Sequence, residues 1–283
     1  MSVRAVQTVK EIREALDPVR KPDNSIGLVP TMGALHAGHE KLIETARKEC
    51  GVVVASIFVN PLQFGPNEDY ARYPRSFEKD LEICRRQGAD FVFAPPVEAM
   101  YPLPQLAFTE VTRVSDHLCG AFRPGHFRGV ATVVLKLLNI VQPHRAYFGE
   151  KDMQQLAVIR RMVADFNVPV TIVGVPTVRE PDGLAVSSRN RYLDAEQRKA
   201  APVLYRALQE AAKQVQGGEK DASKVRDAAL HVLNETPLVR VEYFEIVDPE
   251  EIQPAGTITG PVRIAGAIWL GATRLIDNVW LER

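Results

Sequence analysis

"LVPTMGALHAGHEKL" occupies residues 28–42. A short apolar run ends in a turn of small residues, and two histidines three positions apart stand at the head of a charged, periodic segment. "IGLVPTM" (26–32) reads as a strand and "HEKLIETARKEC" (39–50) as the helix that follows it. Gly33 and Gly38 let the chain turn tightly and let its backbone approach a ligand closely. A helix that starts near Gly38 aims its unbonded N–H groups at the end of the strand, which is a phosphate site by geometry. His36 and His39 are placed there to donate to phosphate oxygens and to offset negative charge as it builds in a transition state. The same spacing fits a helix start with incidental histidines, or two of the three protein ligands of a zinc ion. Spacing alone leaves these three readings open.

Outward from this stretch the strand–helix unit repeats. "VVVASIF" (52–58) is apolar on successive residues, as in a strand buried on both faces. "FEKDLEICRRQG" (77–88) is helical with a terminal glycine, and "DFVFAPP" (90–96) is a strand stopped by prolines. "VATVVLKLLNIV" (130–141) is apolar nearly all round, as in a buried helix. "AYFG" (146–149), "MQQLAVIRRMVADF" (153–166) and "VTIVGVPT" (170–177) add a strand, a helix and a closing strand. This alternation predicts an α/β domain over residues 1–177, a doubly wound parallel sheet with ligands bound beyond the carboxyl ends of its strands. After Thr177 the pattern changes to a polar loop, one long helix over about 195–215, a second near 221–235, and two extended segments, 239–248 and 262–277. These predict a smaller α+β domain over residues 178–283.

A chain of 283 residues with 46% hydrophobic and 25% charged residues has the composition of a globular protein. Its 35 basic and 35 acidic residues cancel, so overall charge provides no steering toward nucleic acid or an anionic membrane. Three widely spaced cysteines, Cys50, Cys84 and Cys119, without a CxxC pair, fit reduced thiols of the cytoplasm. The N-terminal stretch has no signal-peptide core, and no apolar run approaches the ~20 residues that span a bilayer. There is no Walker A motif and no GxGxxG.

Further clusters carry polar chemistry. In "FGEKDMQQL" (148–156), Lys151 suits a phosphate, and Asp152 suits a hydroxyl, a helix cap or a magnesium ion. Gln154 and Gln155 are adjacent and so face different ways on a helix. "AVSSRN" (185–190) is either a solvated turn or an anion clamp of two hydroxyls and a guanidinium. "FVNPLQF" (58–64) places Asn60 and Gln63 at a strand end, and "FRPGHFRG" (122–129) adds Arg123, His126 and Arg128. By position and composition, the polar stretch "GPNEDYARYPRS" (65–76) is a candidate gate.

"PTMGALHAGH", "SIFVNPLQF", "RYPR", "RPGHFRGVATVV", "FGEKDMQQL", "GLAVSSRNRYL" and "WLGATRLIDN" together resemble the pantoate–β-alanine ligase (pantothenate synthetase) family, over nearly the whole chain. The resemblance implies the Rossmann-like fold of the HxGH nucleotidylyltransferases, to which class I aminoacyl-tRNA synthetases also belong. It implies condensation of (R)-pantoate with β-alanine at the expense of ATP, through an enzyme-bound pantoyl adenylate, with release of pyrophosphate and AMP. It further implies Mg2+ dependence and a cytoplasmic homodimer. Carried across residue by residue, Met32, Gly33, Ala34, Leu35, His36, Ala37, Gly38 and His39 form the ATP loop, with His39 as proton donor. Gly149, Glu150, Lys151, Asp152, Val178, Val186, Ser187, Ser188 and Arg189 complete the nucleotide site; His36, Lys151, Ser187, Ser188 and Arg189 join His39 as catalytic groups. Val186 stands where many relatives have Met or Leu, a change that a backbone contact survives. Gln63 is implied to touch pantoate and β-alanine and Gln155 to touch pantoate, while Asn60, Arg123 and His126 align with pocket or loop residues. The resemblance assigns no metal ligand. A cytidylyltransferase is disfavoured by the VNPLQF and GEKD segments, and a non-catalytic scaffold by the intact His36, His39, Lys151 and Arg189.

Overall fold

The computed structural model describes residues 3–66 and 68–282, which fall into two compact units. The described residues of Met1–Val111, Arg123–Glu150 and Val158–Pro176 form the first; those of Thr112–Phe122, Lys151–Ala157 and Thr177–Arg283 form the second. A single boundary after residue 177 therefore does not describe the division: the segments 112–122 and 151–157 cluster with the second unit. The buried amide of Gln154 ties these two segments to each other. It donates to the carbonyls of Val114 (3.0 Å) and His117 (2.7 Å) and accepts from the Cys119 N–H (3.0 Å). His117 Nε2 (3.1 Å from Gln253 Oε1) and the Lys151 carbonyl (3.0 Å from Asn278 Nδ2) tie them to the rest of the unit.

In the first unit, β1 (Arg4–Val6), β2 (Ile26–Thr31), β3 (Val52–Ile57), β4 (Phe91–Phe93), β5 (Arg145–Gly149) and β6 (Thr171–Val175) form one sheet in the order β1-β4-β3-β2-β5-β6. Every pairing is parallel. The three-residue β1 is too short to leave a pattern in the sequence. The helices are α1 (Val9–Leu16), α2 (Ala37–Glu49), α3 (Phe77–Arg86), α4 (Val97–Met100), α5 (Cys119–Phe122, in the second unit), α6 (His126–Val141) and α7 (Met153–Asp165). A core of Val29, Leu42, Ile43, Val53, Ala55, Val92 and Tyr147 lies between sheet and helices. The chain runs from β2 through β3 toward one edge and later takes up β5 on the other side of β2. The order of winding thus reverses at β2, and the residues after Thr31 sit at a topological switch point, the ligand site of open α/β sheets.

Helix α6 is apolar all round because it is buried on nearly every side. At Gly129 it lies directly on the turn that follows β3, where a Cβ would stand 2.2 Å from the Leu62 carbonyl oxygen. Only glycine allows that approach.

In the second unit, β7 (Val239–Val247), β8 (Val262–Leu270) and β9 (Thr273–Leu281) form an antiparallel sheet in that order. The expected second extended segment is in fact two strands, because the chain folds back at Gly271–Ala272 and pairs Leu270 with Thr273. The expected long helix is also two, α8 (Ala195–Ala200) and α9 (Val203–Gln216), interrupted at Pro202, which has no N–H and clashes with the preceding turn. With α10 (Ala222–Asn234) these helices bury Leu204, Leu208, Val225 and Leu233 against Phe244, Ile264 and Ile268.

Gly129→Ala should lower stability by about 1–3 kcal/mol, the usual cost of overpacking. Helix propensity alone favours Ala by about 1 kcal/mol. A fall in the urea midpoint therefore reports the clash with Leu62, and a rise would show that the turn yields.

Candidate active site

The switch-point loop is built almost entirely from backbone constraints. Thr31 ends β2; its Oγ1 donates to the Ser56 carbonyl of β3 (2.7 Å) and accepts from the Gly33 N–H (3.1 Å). Gly33 (φ 80°) and Ala34 (φ 51°) are both left-handed, a conformation that costs a non-glycine residue roughly 1 kcal/mol. Two successive N–H groups then converge on one carboxylate. Asp80 of α3 accepts from Ala34 N–H at Oδ2 (2.9 Å) and from Leu35 N–H at Oδ1 (2.8 Å), and the Ser76 hydroxyl lies 3.2 Å from Oδ1. Asp80 is 1% exposed. One helical turn later, burial and this neighbouring charge push the Cys84 thiol up to about 12, so it is inert.

Beyond Leu35 the backbone straightens at His36 (φ −145°, ψ 178°), which is the N-cap of α2. The helix opens at Ala37, one residue before the expected start. His36 Nδ1 accepts from the Gly38 N–H (3.2 Å), so a neutral His36 carries its proton on Nε2. The His36 and His39 rings lie 4.0 Å apart between centroids. The structure therefore brings together the two histidines, the loop Met32–Gly38 and a helix N-terminus. In the same unit, Gly149 ends β5 and Glu150 follows it.

At the end of β3, Asn60 is 1% exposed, and protein groups occupy all four of its hydrogen-bonding positions. Oδ1 accepts from Leu62 N–H (3.3 Å) and the Tyr101 hydroxyl (2.8 Å); Nδ2 donates to the Gly129 carbonyl (3.1 Å) and to Gln63 Oε1 (3.2 Å). It has no capacity left for a substrate, contrary to the expectation for it. Arg123 is likewise committed: Nε donates to Glu68 Oε1 (2.7 Å), Nη2 reaches Glu68 Oε2 and the Gln63 carbonyl, and Nη1 lies 3.0 Å from His126 Nε2. Burial raises the Glu68 carboxyl, but its hydrogen bonds to Arg123 and that charge outweigh burial and leave it below its ordinary value. Glu68 belongs to the stretch 65–76 proposed as a gate, of which Asn67 lies outside the described residues.

The second unit holds the remaining candidates. Glu150–Asp152 form a 3₁₀ turn, and Lys151 Nζ stands 3.9 Å from Asp152 Oδ1. Gln154 points into the buried network described above, and Gln155, one position on, is half-buried. Val178 and Val186, both expected at the nucleotide site, pair across a short hairpin in which Val186 N–H donates to the Val178 carbonyl (3.0 Å). Ser187 caps the following 3₁₀ turn, Ser188–Tyr192, by accepting from Arg189 N–H (3.3 Å).

Asp277 and Asn278 in β9, which close the WLGATRLIDN stretch but take no role of their own from the sequence, anchor two of these elements. Asp277 forms a two-point pair with Arg179 at the root of the hairpin (3.0 Å for Nη2 to Oδ1), and the guanidinium stacks 3.9 Å over Tyr205. Asn278 Nδ2 donates to the Lys151 carbonyl (3.0 Å). Two successive polar residues, both buried, break the alternation expected of a strand, and that was the available signal. Asp80 was less visible: on an amphipathic helix a lone aspartate reads as solvated.

Fold and loop define a doubly wound α/β protein whose switch point carries two histidines at a helix N-terminus. The family model for pantoate-beta-alanine ligase matches residues 4–280. A pantothenate synthetase of Thermotoga neapolitana is 52% identical over 279 residues, 99% of this chain and 100% of the relative. The crystal structure of a Thermus thermophilus pantothenate synthetase, 50% identical, superimposes with a TM-score of 0.93 over 98% of this chain and 99% of that one. That of a Francisella tularensis pantoate-beta-alanine ligase complexed with beta-gamma ATP and beta-alanine is 33% identical, with a TM-score of 0.79 over 98% and 97% of the chains. The chain belongs to the pantoate–β-alanine ligase family. It is an enzyme that joins pantoate to β-alanine.

Asp80→Asn keeps one acceptor for the loop and turns the other into a donor facing a donor. Stability should fall by about 1–3 kcal/mol, the cost of stranding a buried N–H. The ligase rate should fall at least ~10-fold in protein that urea titration shows to be folded at the assay temperature, a loss expected when a displaced loop misplaces reacting groups. Full activity in the folded variant would show that the loop holds its shape without the carboxylate.

Proposed function

We propose that the joining is driven by ATP and proceeds in two steps, and that the observation carrying this reading is the Asp80-held turn that sets His36, His39 and the α2 N-terminus together at the switch point. In the first step a carboxylate oxygen of pantoate attacks the α-phosphorus of ATP; the bond to the β-phosphate oxygen breaks, leaving pantoyl adenylate and pyrophosphate. In the second, the neutral amine of β-alanine attacks the activated carbonyl carbon, the bond to the AMP oxygen breaks, and the amine gives up a proton as pantothenate forms. No protein nucleophile is needed, so catalysis is positioning and charge stabilisation. The Francisella relative's complex with beta-gamma ATP and beta-alanine supports ATP and β-alanine as ligands.

In this reading His36 and His39 donate to the phosphates, His39 as proton donor, with Met32–Gly38, Gly149, Glu150 and Asp152 lining the nucleotide. Lys151 and the Ser187–Ser188–Arg189 turn neutralise triphosphate charge, and Val178 and Val186 contribute backbone. Gln63 hydrogen-bonds pantoate and β-alanine, and Gln155 hydrogen-bonds pantoate. Among the described residues no three His, Cys, Asp or Glu side chains gather into a metal site. A Mg2+ ion, if bound with the nucleotide, would take Asp152 as its protein carboxylate, the acidic side chain 3.9 Å from Lys151 Nζ. When bound, it would supply Lewis-acid neutralisation of phosphate charge. We further propose a cytoplasmic homodimer; the buried free thiols fit a reducing compartment. Among the described residues no helix is long and apolar enough to cross a membrane.

With pantoate present and β-alanine absent, labelled pyrophosphate should exchange into ATP. Formation of ADP and phosphate instead would indicate an acyl phosphate and overturn the adenylate. Lys151→Ala should lower kcat more than it raises the KM for ATP, because the ammonium acts on charge that develops in the transition state. An unchanged kcat with a raised KM would assign Lys151 to ground-state binding.

A further inference from the structure

We infer that Asn60 and the chain Glu68–Arg123–His126 are positioning residues that lock the amide of Gln63 with its nitrogen offered to the substrate, so that Gln63 selects an oxygen acceptor, a carboxylate or hydroxyl; this rests on the proposed contact of Gln63 with substrate.

The polarity of the network is set by main-chain groups whose roles cannot reverse. Leu62 N–H only donates, so the atom of Asn60 facing it is Oδ1; the Gly129 carbonyl only accepts, so the atom facing it is Nδ2. The second hydrogen on Nδ2 therefore goes to Gln63, and the Gln63 atom receiving it is Oε1. Flipping Gln63 would set two amide NH2 groups against each other in a buried place. Its Nε2 is thereby left on the other branch, 3.1 Å from Met32 Sδ in the switch-point loop. A thioether is a weak acceptor, and a substrate oxygen readily takes its place.

The backbone of Gln63 is held with the same definiteness. Its carbonyl accepts from His126 Nδ1 (2.8 Å) and from Arg123 Nη2 (3.4 Å). A guanidinium never accepts, so His126 Nε2 is the acceptor in its 3.0 Å contact with Arg123 Nη1. The imidazole is then neutral with its proton on Nδ1, as the carbonyl requires. Glu68 clamps the other edge of the guanidinium and fixes its plane. Side-chain and main-chain anchors together leave Gln63 no rotamer search when substrate arrives, which is how a supporting shell sharpens discrimination.

The test is a double-mutant cycle of Gln63→Leu and Glu68→Gln, read as kcat/KM for pantoate and for an analogue lacking one hydroxyl, with the KM for ATP as internal control. Gln63→Leu should cost at least ~10²-fold in kcat/KM for pantoate, the scale set by a lost polar contact. Glu68→Gln, at the half-exposed end of the chain, should cost roughly 10-fold through looser positioning, shrink the preference for pantoate over the analogue, and leave the KM for ATP within about twofold. In the Gln63→Leu background the same Glu68→Gln change should cost less than about twofold. Equal costs in both backgrounds, or no cost in the wild-type background, would overturn the positioning role while leaving Gln63 as a substrate contact. No effect of Gln63→Leu itself would overturn the contact, and the inference with it. Asn60→Asp adds a second arm, since it offers an oxygen where Gln63 needs a donor: if folded, it should match Gln63→Leu in pantoate kcat/KM, and wild-type kinetics would refute the amide lock.

Discussion

The site depends on one buried carboxylate. Without Asp80, the N–H groups of Ala34 and Leu35 would lose their acceptors in a place that water does not reach, and a left-handed alanine would have little to hold it. The consequence reaches past the loop. His36 caps α2 only because the chain leaves Leu35 in the right direction, and the His36–His39 pair follows from that cap. A single aspartate on α3 thus sets the geometry of groups that lie more than forty residues away in sequence, and it does so through backbone atoms, which any loop sequence would present.

Within each unit, polar side chains that resemble ligand-binding groups are largely used on protein partners. Asn60, Arg123 and Gln154 each occupy positions where a polar group invites a substrate contact, and each is committed to protein partners. The energetics explain the pattern. A buried amide or guanidinium is tolerated only when its donors and acceptors are met, so a residue placed just behind a site tends to be saturated by design, and a residue that binds ligand must keep something weak to exchange. The Gln63 contact with Met32 Sδ is such a weak link; the four bonds of Asn60 are not.

The second unit solves the same problem with a strand. Asp277 and Asn278 are neighbours in β9; one anchors the hairpin that carries Val178 and Val186, and the other anchors the Lys151 carbonyl. Lys151 and the Ser187–Arg189 turn, 36 residues apart at their nearest and without sequence features in common, are tied by this dipeptide to one edge strand. The arginine that mediates the first link is itself stacked on Tyr205, which limits its freedom and so the freedom of the hairpin.

Much of this was legible in the sequence for a clear physical reason: periodicity and turn chemistry are local. The alternation of apolar strands with helices, the small-residue turn at Met32–Gly38 and the helix start behind His36 are all set by residues within a few positions of each other, and the motifs as a set point to the family. Helix and strand ends failed where a single residue decided them, as at Pro202 and at the Gly271 turn. What tertiary structure alone decided is the strand order that makes β2 the switch point, and which polar residues face ligand and which face protein. Asp80 reads as a solvated helix residue and Asn60 as a binding residue, and spacing says only that Gln154 and Gln155 face different ways, not what each one meets. Each assignment depends on what the fold sets opposite the side chain, and hydrogen-bond saturation is a property of that pairing rather than of the residue.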